Sequence, residues 1–88
     1  MLLAFVLVET LSGAEAGVLR SLSRIKGVKE AYVVYGEFDI IARVEVSNVD
    51  ELRDLVLKRI RGLKNVKGTR TAIVAMSPIK YPSAEKLG

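Results

Sequence analysis

Cysteine, histidine, tryptophan and glutamine are all missing from the 88-residue chain, and proline occurs only twice. Without cysteine there is no disulfide framework, thiolate nucleophile or zinc knuckle. Without histidine the Ser-His-Asp and Cys-His arrangements lose the imidazole that titrates near neutrality, and most transition-metal sites lose a usual ligand. The chain is therefore expected not to be an enzyme, and no catalytic residue, metal site or cofactor is assigned to it. Both prolines, Pro78 and Pro82, fall near the C-terminus, so regular strand pairing should end before them. Plentiful charge, 27% of residues, beside absent Trp and Gln resembles a heat-adapted composition.

Long apolar runs are missing too. Residues 1–8 are unbroken apolar, but Glu9 ends the run, and a membrane-spanning helix needs about 20 residues. Ala14, Glu15 and Ala16 imitate a signal-peptide cleavage site. No basic residue precedes the apolar run, however, and Gly13 and Glu15 occupy the region before the supposed cut. A buried strand in a cytoplasmic protein, without membrane contact, is the expectation.

What is present is one small domain. Half the residues are hydrophobic, and fourteen basic side chains against ten acidic ones give a net charge of +4. A chain of this size buries somewhat over ~60% of the surface its unfolded form exposes, so association with other copies would help. Shifting the sequence by 38 positions lays Val18 on Val56, Leu22 on Ile60, Ile25 on Leu63 and Val28 on Val66, the mark of two strand-helix-strand units.

Each unit reads from its own periodicity. Residues 2–8 form a first strand, apolar on both parities as a covered central strand should be. A helix over 14–24 buries Val18, Leu22 and Ile25, turns Arg20 and Arg24 to solvent, and stops at Gly27. Residues 28–35 and 40–46 are strands, and Gly36, Glu37, Phe38 and Asp39 form the hairpin turn between them. Ser47 with Asp50, or Asn48 with Glu51, has capping-box spacing ahead of a second helix whose stripe is Leu52, Leu55, Val56, Ile60 and Leu63. Leu57 falls outside that stripe. A last strand runs from Val66 or Thr69 to Met76.

The order β-α-β-β-α-β belongs to the α+β class and predicts the ferredoxin-like sandwich, a four-stranded antiparallel sheet with two helices on one face. The crossovers are read as setting the first and third strands in parallel at the centre. The other face stays bare, with Ile41, Arg43, Glu45 and one parity of the first strand upon it, too apolar for a small monomer to leave wet. A two-fold dimer through this open sheet face would cover it. RNA binding, suggested by the net charge, lacks a stacking platform: the third strand has aliphatic residues where a ribonucleoprotein-type sheet carries aromatics, and Phe5 reads as core. Arg53, Lys58, Arg59, Arg61 and Lys64 read as the solvated face and end of the second helix.

Gly27 and Val28, then Ala31 through Ile41, then Val49 through Leu52, and finally Val66 with Thr69, Arg70 and Thr71 resemble the effector-binding domain of the Lrp/AsnC transcriptional regulators. Hydrophobic residues leading into Gly-x-aromatic-Asp, with Thr-x-Thr on the last strand, are the signature. The resemblance assigns residues 1–76 to this ligand-binding (RAM, regulation of amino-acid metabolism) domain and leaves 77–88 as a tail. Family regulators place a helix-turn-helix domain before it, and no room precedes a strand starting at Leu2, so the chain looks like the stand-alone version. The resemblance implies an amino-acid sensor that assembles as dimers and tetramers of dimers, without direct DNA binding, and that serves transcription regulation or amino-acid metabolism. Two alternatives remain open: a ligand-independent adaptor that hetero-oligomerises with two-domain Lrp/AsnC regulators, and an ACT-like amino-acid-binding domain, with Gly13 and Gly17 after the first strand.

The implied ligand-binding residues are Gly36, Glu37, Phe38, Asp39, Thr69 and Thr71. Asp39 can accept from an ammonium, amides around Gly36 and Glu37 can donate to a carboxylate, and the threonines add hydroxyls. Read locally, Gly36 equally makes a turn, Asp39 caps it, and the threonines suit an edge strand. Glu37 and Asp39 holding Mg²⁺ for an enzyme is the third option, with no further oxygen ligand in view. The topology expected above places the hairpin turn and the start of the last strand at opposite ends of the sheet, so that Asp39 and Thr69 would meet one ligand only between subunits.

Overall fold

The computed structural model describes residues 1–75; the expected strand end at Met76 and the tail 77–88, with Pro78 and Pro82, lie outside the described residues. The chain runs β1 (Leu2–Thr10), α1 (Glu15–Leu22), β2 (Val28–Val33), β3 (Ile40–Val46), α2 (Val49–Asp54) with a π-helical continuation Leu55–Ile60, and β4 (Val66–Ile73). The sheet order is β2-β3-β1-β4, every neighbouring pair antiparallel. This is the ferredoxin-like sandwich.

The parallel reading of β1 and β3 is corrected. A crossover makes β2 parallel to β1, and the hairpin then reverses direction, so β3, inserted between them, opposes both. Leu2 pairs with Val46 and Val8 with Ile40.

Period-two alternation sorts the two faces. Ala4, Val6 and Val8 of β1 and Ile40, Ala42 and Val44 of β3 are completely buried beneath the helices. Val18 and Leu22 of α1, Ile25 in the bend after it, and Leu52, Leu55, Val56 and Ile60 from the second helical segment close that core. Leu22 has no exposed surface, and truncating such a side chain to Ala costs about 2–5 kcal/mol.

The helix ends follow from identifiable side chains. Asn48, in extended backbone, accepts the Glu51 N–H at 2.8 Å, and the Glu51 carboxylate reaches back to the Ser47 N–H at 3.2 Å, which resolves the two capping alternatives in favour of Asn48 and Glu51. Beyond Asp54 the winding loosens, and the Arg61 N–H donates to the Val56 carbonyl five residues back at 2.8 Å. That wider turn brings Leu55 and Ile60 onto one buried side and leaves Leu57 half-exposed.

The half-repeat is physical. Ile25 N–H bonds the Leu22 carbonyl and Leu63 N–H the Ile60 carbonyl, both at 3.0 Å. Gly27 (φ +101°) and Asn65 (φ +72°), the equivalent positions, both take the left-handed backbone that ends a helix.

Candidate ligand-binding site

The connection from β2 to β3 is built around Asp39. Val34 N–H donates to the Asp39 carbonyl at 2.8 Å, and Asp39 N–H donates to the Val8 carbonyl at 3.0 Å. The Asp39 carboxylate then accepts the Thr10 N–H at 2.8 Å. Asp39 thus holds β1 against the start of β3 with its own side chain where the β1–β3 ladder has ended at Val8 and Ile40, while β1 itself continues to Thr10 by pairing with β4. Gly36 sits at φ +148° with nothing within 4 Å of where a Cβ would stand, so backbone conformation, not space, calls for glycine there.

Inside this turn the chain leaves donors unused. Among the described residues, the N–H groups of Tyr35, Gly36, Glu37 and Phe38 make no hydrogen bond. The same four residues border a hollow of about 400 Å³ that Leu7, Val34 and Ile41 also wall. The hollow opens on the sheet face away from the helices, beside the Asp39 clamp. The Arg70 guanidinium lies 6.0 Å from the centroid of the Phe38 ring. Glu37 and Asp39 gather no third carboxylate among the described residues.

Of the six residues expected at a site, Gly36, Glu37 and Phe38 line the hollow, whereas Asp39, next in the chain to Phe38, does not line it and accepts the Thr10 N–H. Thr69 and Thr71 do not. Their register partners are Val8 and Val6, so they share the helix-covered side of the sheet. Thr71 lines a separate groove of about 280 Å³ with Val49, Leu52, Arg53, Leu57 and Ile73. Ile40 and Thr69 both pair with Val8, so the hairpin turn and the start of β4 lie at the same end of the sheet. The opposite-ends expectation is overturned because it followed from the parallel central pair. What separates Thr71 from the turn is the thickness of the sheet.

Sequence reasoning missed Arg70, Leu7, Val34 and Ile41 as neighbours of the site. Arg70 stands between the two quoted threonines, and strand alternation alone places it on the opposite face from them.

Farther along the same face, Arg43 is forked between two carboxylates. Its Nε bonds Glu30 at 2.6 Å, and its Nη1 bonds Glu45. The Tyr32 hydroxyl donates to Glu30 at 3.0 Å. The hydrogen bond from Arg43, helped by that from Tyr32, holds the Glu30 carboxyl below its ordinary range. The same contact with Glu30 holds the Tyr32 hydroxyl protonated to higher pH than usual.

Comparison with known proteins fits this arrangement. The Lrp/AsnC ligand binding domain matches residues 3–84. The HTH-type transcriptional regulator FL11 of Pyrococcus horikoshii is 32% identical over 73 residues, which cover 83% of this chain and 48% of FL11. Homocitrate synthase of Sulfurisphaera tokodaii is 40% identical over 57 residues, 65% of this chain but only 12% of that enzyme. The chain thus spans about half or less of the curated relatives it matches. Among solved structures, TTHA0845 from Thermus thermophilus superposes with a TM-score of 0.86 at 29% identity, covering 91% of this chain and 100% of that one. The feast or famine regulatory protein Rv3291c from M. tuberculosis, complexed with L-methionine, gives 0.77 at 30% identity, covering 94% of this chain and 56% of its own. Among the described residues no helix is long and apolar enough to cross a membrane. By profile, fold and relatives together, the chain belongs to the Lrp/AsnC ligand-binding domain family.

Proposed function

We propose that this domain is a cytoplasmic sensory module that binds a free amino acid in the hollow at the β2–β3 turn and couples that binding to the assembly of its own copies. The observation that carries the reading is the run Tyr35 to Phe38, whose N–H groups are unused among the described residues and whose residues line an apolar hollow. An α-carboxylate takes such donors, an apolar side chain takes Leu7, Val34 and Ile41, and the Asp39 carboxylate stands ready for the ammonium. The L-methionine held by the M. tuberculosis relative is a ligand of this chemistry. Thr69 and Thr71, on the other side of the sheet, would reach the same effector only from a neighbouring copy.

Assembly begins with a dimer through the open sheet face. That face is bare of helices, and Phe5 and Tyr32, exposed by 37% and 56%, lie on it beside Leu7 and Ile41. An effector that prefers the assembled state then shifts the oligomer by mass action. Such a module acts on transcription or amino-acid metabolism through partners, including two-domain regulators of its family, rather than by touching DNA.

Thermal unfolding with each of the twenty amino acids, read beside light scattering, tests the proposal. A ligand at a hundred times its Kd stabilises by about 2.7 kcal/mol, a shift of about 11–22 °C at about 4–8 °C per kcal/mol. Silence from all twenty would refute the sensor and favour the ligand-independent adaptor.

A further inference from the structure

The charges on the open sheet face are unevenly distributed. The cluster Glu30–Arg43–Glu45 carries one excess negative charge toward the β2 edge. Arg70, on the β4 edge, makes no ion pair among the described residues, and its stacking on Phe38 leaves its N–H donors free. Glu9 and Lys67 pair at 3.8 Å and cancel. The face is therefore polarised from one edge to the other.

Two aligned sheets pack with strand directions within about 30° of each other. A two-fold axis between them then lies in the interface, running either nearly along the strands or nearly across them. An axis across the strands lays each strand on its own copy, β4 on β4 and β2 on β2, and brings like charge toward like. An axis along the strands lays β4 on β2 and β1 on β3. Leu7 pairs with both Arg70 and Ile41, and Ile41 pairs with Tyr32, so Arg70 and Tyr32 occupy one row across the sheet. Under the second axis that row falls on itself reversed, and Arg70 arrives over Tyr32 and the Glu30 carboxylate bonded to it. Sheets about 10 Å apart are within the combined reach of an arginine and a glutamate.

We infer that the dimer forms about a two-fold axis running along the strands, with Arg70 of each copy engaging the Glu30 carboxylate of the other. The inference rests on the open-face dimer proposed above and adds what fixes its orientation. Charge complementarity of this kind selects register and rejects wrong partners.

A double-mutant cycle read by sedimentation equilibrium tests it, with Arg70→Gln, Glu30→Gln and the double variant, none of which introduces a like charge. Each single substitution is expected to raise the dimer dissociation constant by about tenfold, with the double variant no weaker than either single. Arg70→Lys, which keeps the charge, should stay closer to the unaltered chain than Arg70→Gln and guards against a purely structural effect of losing the side chain. Additive losses, or no effect from either substitution in a chain that still dimerises, would overturn the orientation while leaving the dimer standing. An unaltered chain that remains monomeric at every concentration would overturn the open-face dimer itself.

Discussion

Replacing Asp39 separates the structural role its carboxylate performs from the ligand-binding role proposed for it. In the folded chain it accepts the Thr10 N–H at 2.8 Å, a charge-assisted bond at the half-buried end of β1. Asp39→Ala leaves that N–H without its partner, and losing a hydrogen bond to a charged group costs about 1.5–3 kcal/mol. For a domain of this size each kcal/mol lowers the melting temperature by about 4–8 °C, so Asp39→Ala should melt about 6–24 °C below the unaltered chain. Asp39→Asn keeps an oxygen where the N–H points and should lose much less. It also removes the charge that an ammonium requires. The expected pattern is therefore a nearly normal melting curve for Asp39→Asn with amino-acid binding lost by calorimetry, against a low-melting Asp39→Ala. If Asp39→Ala melts with the unaltered chain, the clamp has been misjudged; if Asp39→Asn binds amino acid with undiminished affinity, the carboxylate is not the ammonium partner.

Gly27→Ala forces a Cβ into left-handed backbone at φ +101° and sets it 2.7 Å from Leu55 Cδ1. It should cost at least about 1–2 kcal/mol in urea unfolding, while Asn65→Gly at the equivalent position should be neutral or slightly stabilising; equal effects at the two sites would refute their equivalence. Because Arg43 lowers the Glu30 carboxyl below its ordinary range, folding favours the ionised form. Its stabilising contribution is complete above the ordinary carboxylate range and is lost as pH falls through the lowered folded value. Acid titration of the melting temperature should show this loss in the unaltered chain and a smaller one in Arg43→Ala; parallel curves would exclude Glu30 as a source.

Element types and the division into halves were legible because their signals are local. Apolar alternation in Ile40–Val46, a glycine at 27 and the Asn48–Glu51 spacing each act within a few residues. Boundaries moved where distant groups intervened. β1 gains Glu9 and Thr10 by pairing with Gly68 and Val66 of β4, distant in the chain, and α1 closes early because the Arg24 and Ile25 N–H groups reach back only three residues, to Ser21 and Leu22. The π winding escaped notice because Leu55 and Ile60, five apart, sit inside a stripe that also satisfies ordinary helical spacing. For the site, the Gly36–Asp39 turn was readable, whereas the hollow was not, since Leu7, Ile41 and Arg70 come to it from three strands. The face that carries the threonine pair is not readable, because a Thr-x-Thr spacing specifies that two residues share a side without specifying which.

The alternation of halves across the sheet bears on how the chain folds. β1 and β2 come from one strand-helix-strand unit and β3 and β4 from the other, and the order β2-β3-β1-β4 interleaves them. Every ladder in the sheet, β2 with β3, β3 with β1 and β1 with β4, therefore joins one half to the other. Neither half holds a strand pairing of its own that could survive as a separate foldon. The domain should thus unfold in a single cooperative step, and a ligand seated at the hairpin that joins the halves stabilises both together.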